Sequence, residues 1–159
     1  MTVRQAAFTD IPRIAELLVE AQGRSRYEGT EVQVDVKHAK ALLMSSIQRH
    51  GGKGEGATWC SVSERDGVVE GFIIGIALRV QEICEQLYVT DLIFYQSERA
   101  LPADARPMLA GMIGWAGGMK KVYEITLGAT DVVGDYARTG KLYERMGFEQ
   151  RGAIYGMRL

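Results

Sequence analysis

Arg65-Asp66-Gly67 divides two runs rich in strand-forming residues, Thr58 to Ser63 and Val68 to Val80. An Asp-Gly pair tolerates the positive backbone torsions of a tight hairpin turn, so the two runs are expected to pair antiparallel. A lone hairpin is only marginally stable in water, and other elements must cover its apolar faces. The rest of the chain offers strands and helices for that purpose.

Val3 to Ala7 reads as a short strand. Thr9-Asp10-Ile11-Pro12 then supplies an N-cap and a first-turn proline. Ile11, Ile14, Ala15, Leu17 and Leu18 recur at helical spacing, which predicts a helix ending near Gly23. Gly23 to Gly29 has no apolar periodicity and reads as a loop. Val34 to Ile47 predicts a second amphipathic helix, with Val36, Ala39, Leu42, Leu43 and Ile47 on one side. The four glycines between His50 and Gly56 stop it.

Leu87 to Tyr95 predicts a further strand, with Leu87, Val89, Asp91, Ile93 and Tyr95 sharing one face. Asp91 is the charged exception on it. Asp104 to Trp115 predicts a helix that accepts Pro107 in its first turn. Tyr123 to Leu127 reads as a strand, Tyr136 to Met146 as a helix closed by Gly147, and Phe148 to Leu159 as one or two closing strands. The order is β-α-α-β-β-β-α-β-α-β in one domain spanning residues 1–159. That order implies an α+β fold with a mixed sheet and helices on both faces.

Charge excludes some partners. Lys and Arg total 19 against 20 Asp and Glu, a net charge of -1, so no basic excess is present to neutralise a nucleic-acid backbone. Neither Cys60 nor Cys84 has metal-ligand spacing, and both are expected to be reduced residues in or near the core. His38 and His50 are expected at the surface. No run reaches the roughly 20 apolar residues of a membrane span. The first residues show no signal-peptide pattern, so a cytoplasmic protein is the expectation.

The segment Gly140-Lys141-Leu142-Tyr143-Glu144-Arg145-Met146-Gly147-Phe148, together with the element order, resembles the GNAT superfamily of acetyl-CoA-dependent N-acetyltransferases. Arg65 to Phe72 resembles that family's second hairpin. Asp91-Leu92 on the central strand and the Ser25-Arg26-Tyr27 loop extend the likeness over nearly the whole chain. The resemblance implies the acyl-CoA N-acyltransferase fold, a mixed and mostly antiparallel sheet flanked by about four helices.

For chemistry, the resemblance implies Tyr143 as the acid that protonates a departing thiolate and Asp91 as the base that takes the amine proton. Tyr143 also suits a core aromatic, and Asp91 a structural pair or a carboxylate with raised pKa. Ile93, Phe94, Tyr95, Leu101, Ala103, Asp104, Ala105, Arg106 and Arg138 are the implied contacts of acetyl-CoA as co-substrate. Arg24, Arg26 and Tyr27 lie where the family's amine acceptor enters, and their mixed polarity suits a polar small molecule or peptide. No metal is implied.

The likeness breaks at the turn after the central strand. There the family carries Gln/Arg-x-x-Gly-x-Gly/Ala, whose backbone N–H groups bind the pyrophosphate. Leu101-Pro102-Ala103-Asp104-Ala105-Arg106 stands in that place, without either glycine and with a carboxylate at Asp104. Small alanines with Arg99 or Arg106 nearby could still serve an anion; equally, the loop could have lost that use, with Asp104 capping the helix. Members of the family often form homodimers, and Met108, Met112 and Met119 suit either a core or an interface. The Ser25-Arg26-Tyr27 loop and the tail also resemble GNAT-like proteins encoded by phages and prophages. That implies a non-catalytic, virion-associated alternative.

Overall fold

Asp66 and Gly67 both take positive φ, 53° and 78°, and form the expected turn. The computed structural model describes residues Thr2 to Leu159. In chain order the elements are β1 (Thr2–Gln5), α1 (Ile11–Gly23), α2 (Val36–Gln48), β2 (Thr58–Arg65), β3 (Val68–Arg79), β4 (Leu87–Gln96), α3 (Ala105–Gly117), β5 (Val122–Thr126) and α4 (Tyr136–Arg145). Short 3-10 turns lie at Phe8–Asp10, Val80–Glu82 and Pro102–Asp104.

One sheet runs in the order β1-β2-β3-β4-β5. Every pair is antiparallel except β4 with β5, which α3 joins by a crossover. Local signals explain several ends. Asp35 starts α2 by accepting a hydrogen bond from the His38 N–H at 2.9 Å, and Asp135 starts α4 by accepting one from the Ala137 N–H at 2.8 Å. Gly147 closes α4 at φ 94°, as expected. The Phe148 N–H donates to the Tyr143 carbonyl at 3.1 Å and the Gly147 N–H to that of Glu144 at 3.0 Å, a Schellman end with Phe148 packed on the Tyr143 ring.

Helices cover both faces. Ile14 and Leu17 of α1 and Leu43 and Ile47 of α2 pack on Phe72 and Ile74. On the opposite face Met108, Leu109, Met112 and Ala116 of α3 and Tyr143 of α4 pack on Ile73, Ala77 and Val89. The three methionines Met108, Met112 and Met119 are therefore core residues. Gly75 sets the closeness of α3, because a Cβ there would lie 2.5 Å from the Met112 sulfur.

The shared face expected along β4 does not exist. Ile74 pairs with Ile93 while Gly75 pairs with Asp91, so Leu92 is an extra residue, a β-bulge. Leu87, Val89 and Phe94 consequently join the α3/α4 side, while Ile93 and Tyr95 join the α1/α2 side. The alternation rule fails because one inserted residue reverses the pleat.

Two further expectations need correction. Phe148 to Leu159 forms no strand. Residues from Glu149 onward are exposed and unpaired, because alternating side chains make a strand only where a second edge accepts the backbone bonds. Cys84 is half-buried in the turn between β3 and β4, and Cys60 is buried in β2 with its thiol pushed up to about 11 by burial. His50 is not a surface histidine. Its Nδ1 accepts the Cys60 N–H at 2.9 Å and its ring lies 4.6 Å from that of Trp59, so the imidazole is neutral, and burial lowers its pKa further.

Candidate active site

The parallel pairing of β4 and β5 runs from Leu87/Val122 to Thr90/Thr126 and stops there. β4 continues to Gln96, paired only with β3, so the sheet opens into a cleft beyond Thr90. The following segment is tied down by Glu70, a buried residue of β3 that accepts from the Ser97 hydroxyl at 2.7 Å and from Arg99 Nε at 2.9 Å. Burial would raise the Glu70 pKa, but Arg99, Ser97 and Arg13 outweigh it and hold the carboxyl below its usual value.

Asp91 stands at the mouth of the cleft, and Tyr143 faces the same place from α4. The two meet at one residue. Gly128 donates its N–H to Asp91 Oδ1 at 3.0 Å, and its carbonyl accepts the Tyr143 hydroxyl at 3.2 Å. Desolvation raises the Asp91 pKa against the opposing effect of the Gly128 N–H. Burial, with the nearby Asp91 charge, raises the Tyr143 pKa as well, so its hydroxyl stays protonated through neutral pH. The structure thus brings the expected acid and base together. Gly128, which organises them, carries no signal in the sequence beyond being a glycine between a strand and a helix.

The start of α3 differs from a pyrophosphate cradle. Pro102 has no N–H, the Asp104 N–H donates to the Leu101 carbonyl at 3.0 Å, and the Ala105 N–H donates to that of Pro102. The turn therefore uses the donors of Asp104 and Ala105 within itself. Asp104 makes no cap hydrogen bond, contrary to expectation. Asp104 is only 8% exposed, and its buried Oδ2 has no hydrogen-bond partner among the described residues. Asp104 has helical torsions, φ -77° and ψ -20°, rather than the extended ones of a capping residue, and the third helical residue is Pro107, which has no N–H to give. Leu101, Ala103 and Arg106 are exposed and Ala105 is buried. Arg99 is committed to Glu70 and Glu20, at 2.9 and 3.0 Å, and is not free to balance an anion. Arg138 lies exposed in the first turn of α4.

On the other side of β4, the Tyr95 hydroxyl accepts from Arg24 at 3.1 Å and donates to Glu20 at 3.2 Å. Arg24 also pairs with Glu98 at 3.0 Å. Arg26 stacks over the Tyr27 ring and its backbone N–H donates to the Val132 carbonyl at 3.0 Å. Ser25 forms a β-bridge with Val133, and Arg26 lies 3.6 Å from Asp131. The loop after α1 is thus joined to the segment before α4 across the end of the sheet. Glu20, Glu98 and Val133 complete this cluster, and only their distance in the fold, not any motif, identifies them.

Among the described residues no group of His, Cys, Asp or Glu is arranged to hold a metal ion, and no helix is long and apolar enough to cross a membrane.

No protein-family model matches the chain, and no curated protein matches its sequence. Solved structures do match its fold. A ribosomal-protein-alanine N-acetyltransferase from Brucella melitensis biovar Abortus 2308 superposes with TM-score 0.66 at 18% identity, covering 100% of both chains. A putative acetyltransferase from Agrobacterium tumefaciens str. C58 does so with TM-score 0.67 at 18% identity, again over 100% of both. An aminoglycoside acetyltransferase from an uncultured soil metagenomic sample reaches TM-score 0.65 at 13% identity, over 99% of this chain and 97% of that one. The chain has the GNAT acyl-CoA N-acyltransferase fold, with a five-stranded, mostly antiparallel sheet and four helices.

Proposed function

We propose that this protein is an N-acetyltransferase that moves an acetyl group from acetyl-CoA to an amine of a polar small molecule or peptide in the cytoplasm. The observation that carries the reading is the Asp91 carboxylate at the point where β4 and β5 part, sharing Gly128 with the Tyr143 hydroxyl. Asp91 accepts the proton that the amine sheds as its nitrogen bonds to the acyl carbon, and the raised pKa makes it a better base than an exposed carboxylate. Tyr143 returns a proton to the sulfur that leaves. Its hydroxyl is available for this when it exchanges the long 3.2 Å bond to Gly128 for the sulfur.

Ile93, Phe94 and Tyr95 supply the stretch of β4 that is paired with β3 but has no strand on its β5 side, which suits an extended thioester arm. Arg24, Arg26 and Tyr27 supply the acceptor side. The diphosphate end fits poorly, because Pro102 has no N–H, the Asp104 and Ala105 N–H groups bond within the turn, and the Asp104 carboxylate is buried at the start of α3. That misfit favours a second reading, a GNAT-fold structural or interaction protein without catalysis, associated with a virion.

Calorimetry with acetyl-CoA separates the two. The first reading expects micromolar affinity, about -8 kcal/mol. Absence of heat at millimolar ligand refutes it and leaves the second.

A further inference from the structure

We infer that this protein selects its acyl donor by the pantetheine arm alone, so that a pantetheine thioester with no nucleotide diphosphate binds at least as tightly as acetyl-CoA. The inference rests on the acetyltransferase reading and narrows its donor. Two stretches of chain that meet at Gln96 and Ser97 carry it, one open to an extended ligand and one closed to an anion.

The open stretch is the β5 side of β4. Pairing with β5 ends at Thr90, while pairing with β3 continues to Gln96. Residues 91–96 therefore have no strand on one side over roughly 20 Å. Such an edge accepts another extended chain that carries amides. The pantetheine arm is a chain of that kind, with a pair of amides between its sulfur and its far hydroxyl. Asp91 and Tyr143 mark the end where the sulfur must lie, since both bond to Gly128 where the strands part. The far end of the arm then arrives at Gln96, beside the turn that leads into α3.

That turn is closed. The Gln96 amide donates to the Leu101 carbonyl at 3.2 Å, and Ser97 and Arg99 are anchored on Glu70. Pro102 has no N–H, and those of Asp104 and Ala105 bond to the Leu101 and Pro102 carbonyls, so three of the four residues from Pro102 to Ala105 offer an anion nothing. The charges are equally unsuited. Arg99 is held by Glu20 and Glu70, which leaves Arg106 for the turn, and the Asp104 carboxylate offsets it. The nucleotide end of acetyl-CoA brings a diphosphate and a further phosphate, all negative. A turn whose charges cancel and whose donors are used gives them no hold. At the reacting end the two donors are identical, because the acyl carbon and the sulfur are the same atoms in both.

Calorimetry on the full chain with acetyl-pantetheine and with acetyl-CoA tests this. Acetyl-pantetheine should bind at least as tightly, and adenosine bisphosphate, the nucleotide end alone, should give no heat at millimolar concentration. A diphosphate held by several charge-assisted hydrogen bonds would instead favour acetyl-CoA by about 100-fold or more. Acetyl-CoA binding the tighter by about 3-fold or more overturns the inference and leaves the acetyltransferase reading standing. Heat from adenosine bisphosphate does the same. Binding of neither thioester overturns that reading and this inference with it. Asp104→Asn should tighten acetyl-CoA roughly 5-fold and leave acetyl-pantetheine unchanged, because only acetyl-CoA brings charge to the turn. An equal change for both ligands would assign Asp104 to the arm and overturn the division between arm and nucleotide.

Discussion

Replacing Gly147 tests the link between a backbone torsion and the position of the tyrosine four residues before it. Gly147 sits at φ 94°, and an added Cβ would meet nothing within 4 Å. The whole cost of a side chain there is therefore torsional. A non-glycine residue in the left-handed region costs about 1–2 kcal/mol, more when branched at Cβ. For a chain of this length each kcal/mol moves the midpoint by roughly 2–4 °C. Gly147→Ala should therefore lower the melting temperature by about 2–8 °C, and Gly147→Val by more. Gly147→Asn should lose least, because asparagine visits this region. If the strained variants instead open the cap, Phe148 leaves the Tyr143 ring, and near-ultraviolet dichroism from that pair should fall. Equal midpoints for glycine, alanine and valine in thermal melts would refute the argument.

Tyr143→Phe should lower turnover about 10²-fold and stability by only about 1 kcal/mol, the loss of one hydrogen bond to the Gly128 carbonyl; unchanged turnover dismisses the acid role. Asp91→Asn should abolish the acidic limb of the rate profile, which in the wild type lies above the ordinary 3.8 of a carboxylate. Because the folded pKa of Asp91 is the higher one, its contribution to stability is complete below 3.8 and is lost as pH rises through the folded value. Melts of the wild type minus those of the asparagine variant should therefore decline upward from 3.8. Asp104→Asn removes a carboxylate from the start of α3 and should tighten acetyl-CoA by about 1 kcal/mol, roughly 5-fold; titration calorimetry giving the same affinity as wild type counts against a diphosphate site there.

What was legible in the sequence was what short stretches of chain decide for themselves. The Asp66-Gly67 turn, the glycine end of α4 and the proline start of α1 need no distant partner, and each stands where it was expected. The bulge at Leu92 escapes such reading because it is a mismatch between two strands, visible only in their register. Gly128 and the Ser25–Val133 bridge escape it for the same reason: their partners lie far away in sequence. Asp104 misled in another way. The residue type favours capping, but the 3-10 turn before it carries Asp104 into helical torsions, and Pro107 three residues on has no N–H to offer. The tail misled because an alternating pattern states a readiness to pair without naming the partner.

The Ser25–Val133 bridge has a consequence for the order in which the chain folds. Its two residues lie over a hundred positions apart, and the β2–β3, β3–β4 and β4–β5 ladders between them must form before they come near each other. Contacts of such separation carry a high closure entropy and form after the local ones. During synthesis the α1–α2 loop waits for nearly the whole chain to emerge before Val132 and Val133 reach it. The entrance on the Arg24 side is thus a late product of folding, absent from any intermediate that lacks the region before α4. A ligand that depends on this entrance would recognise only the finished protein.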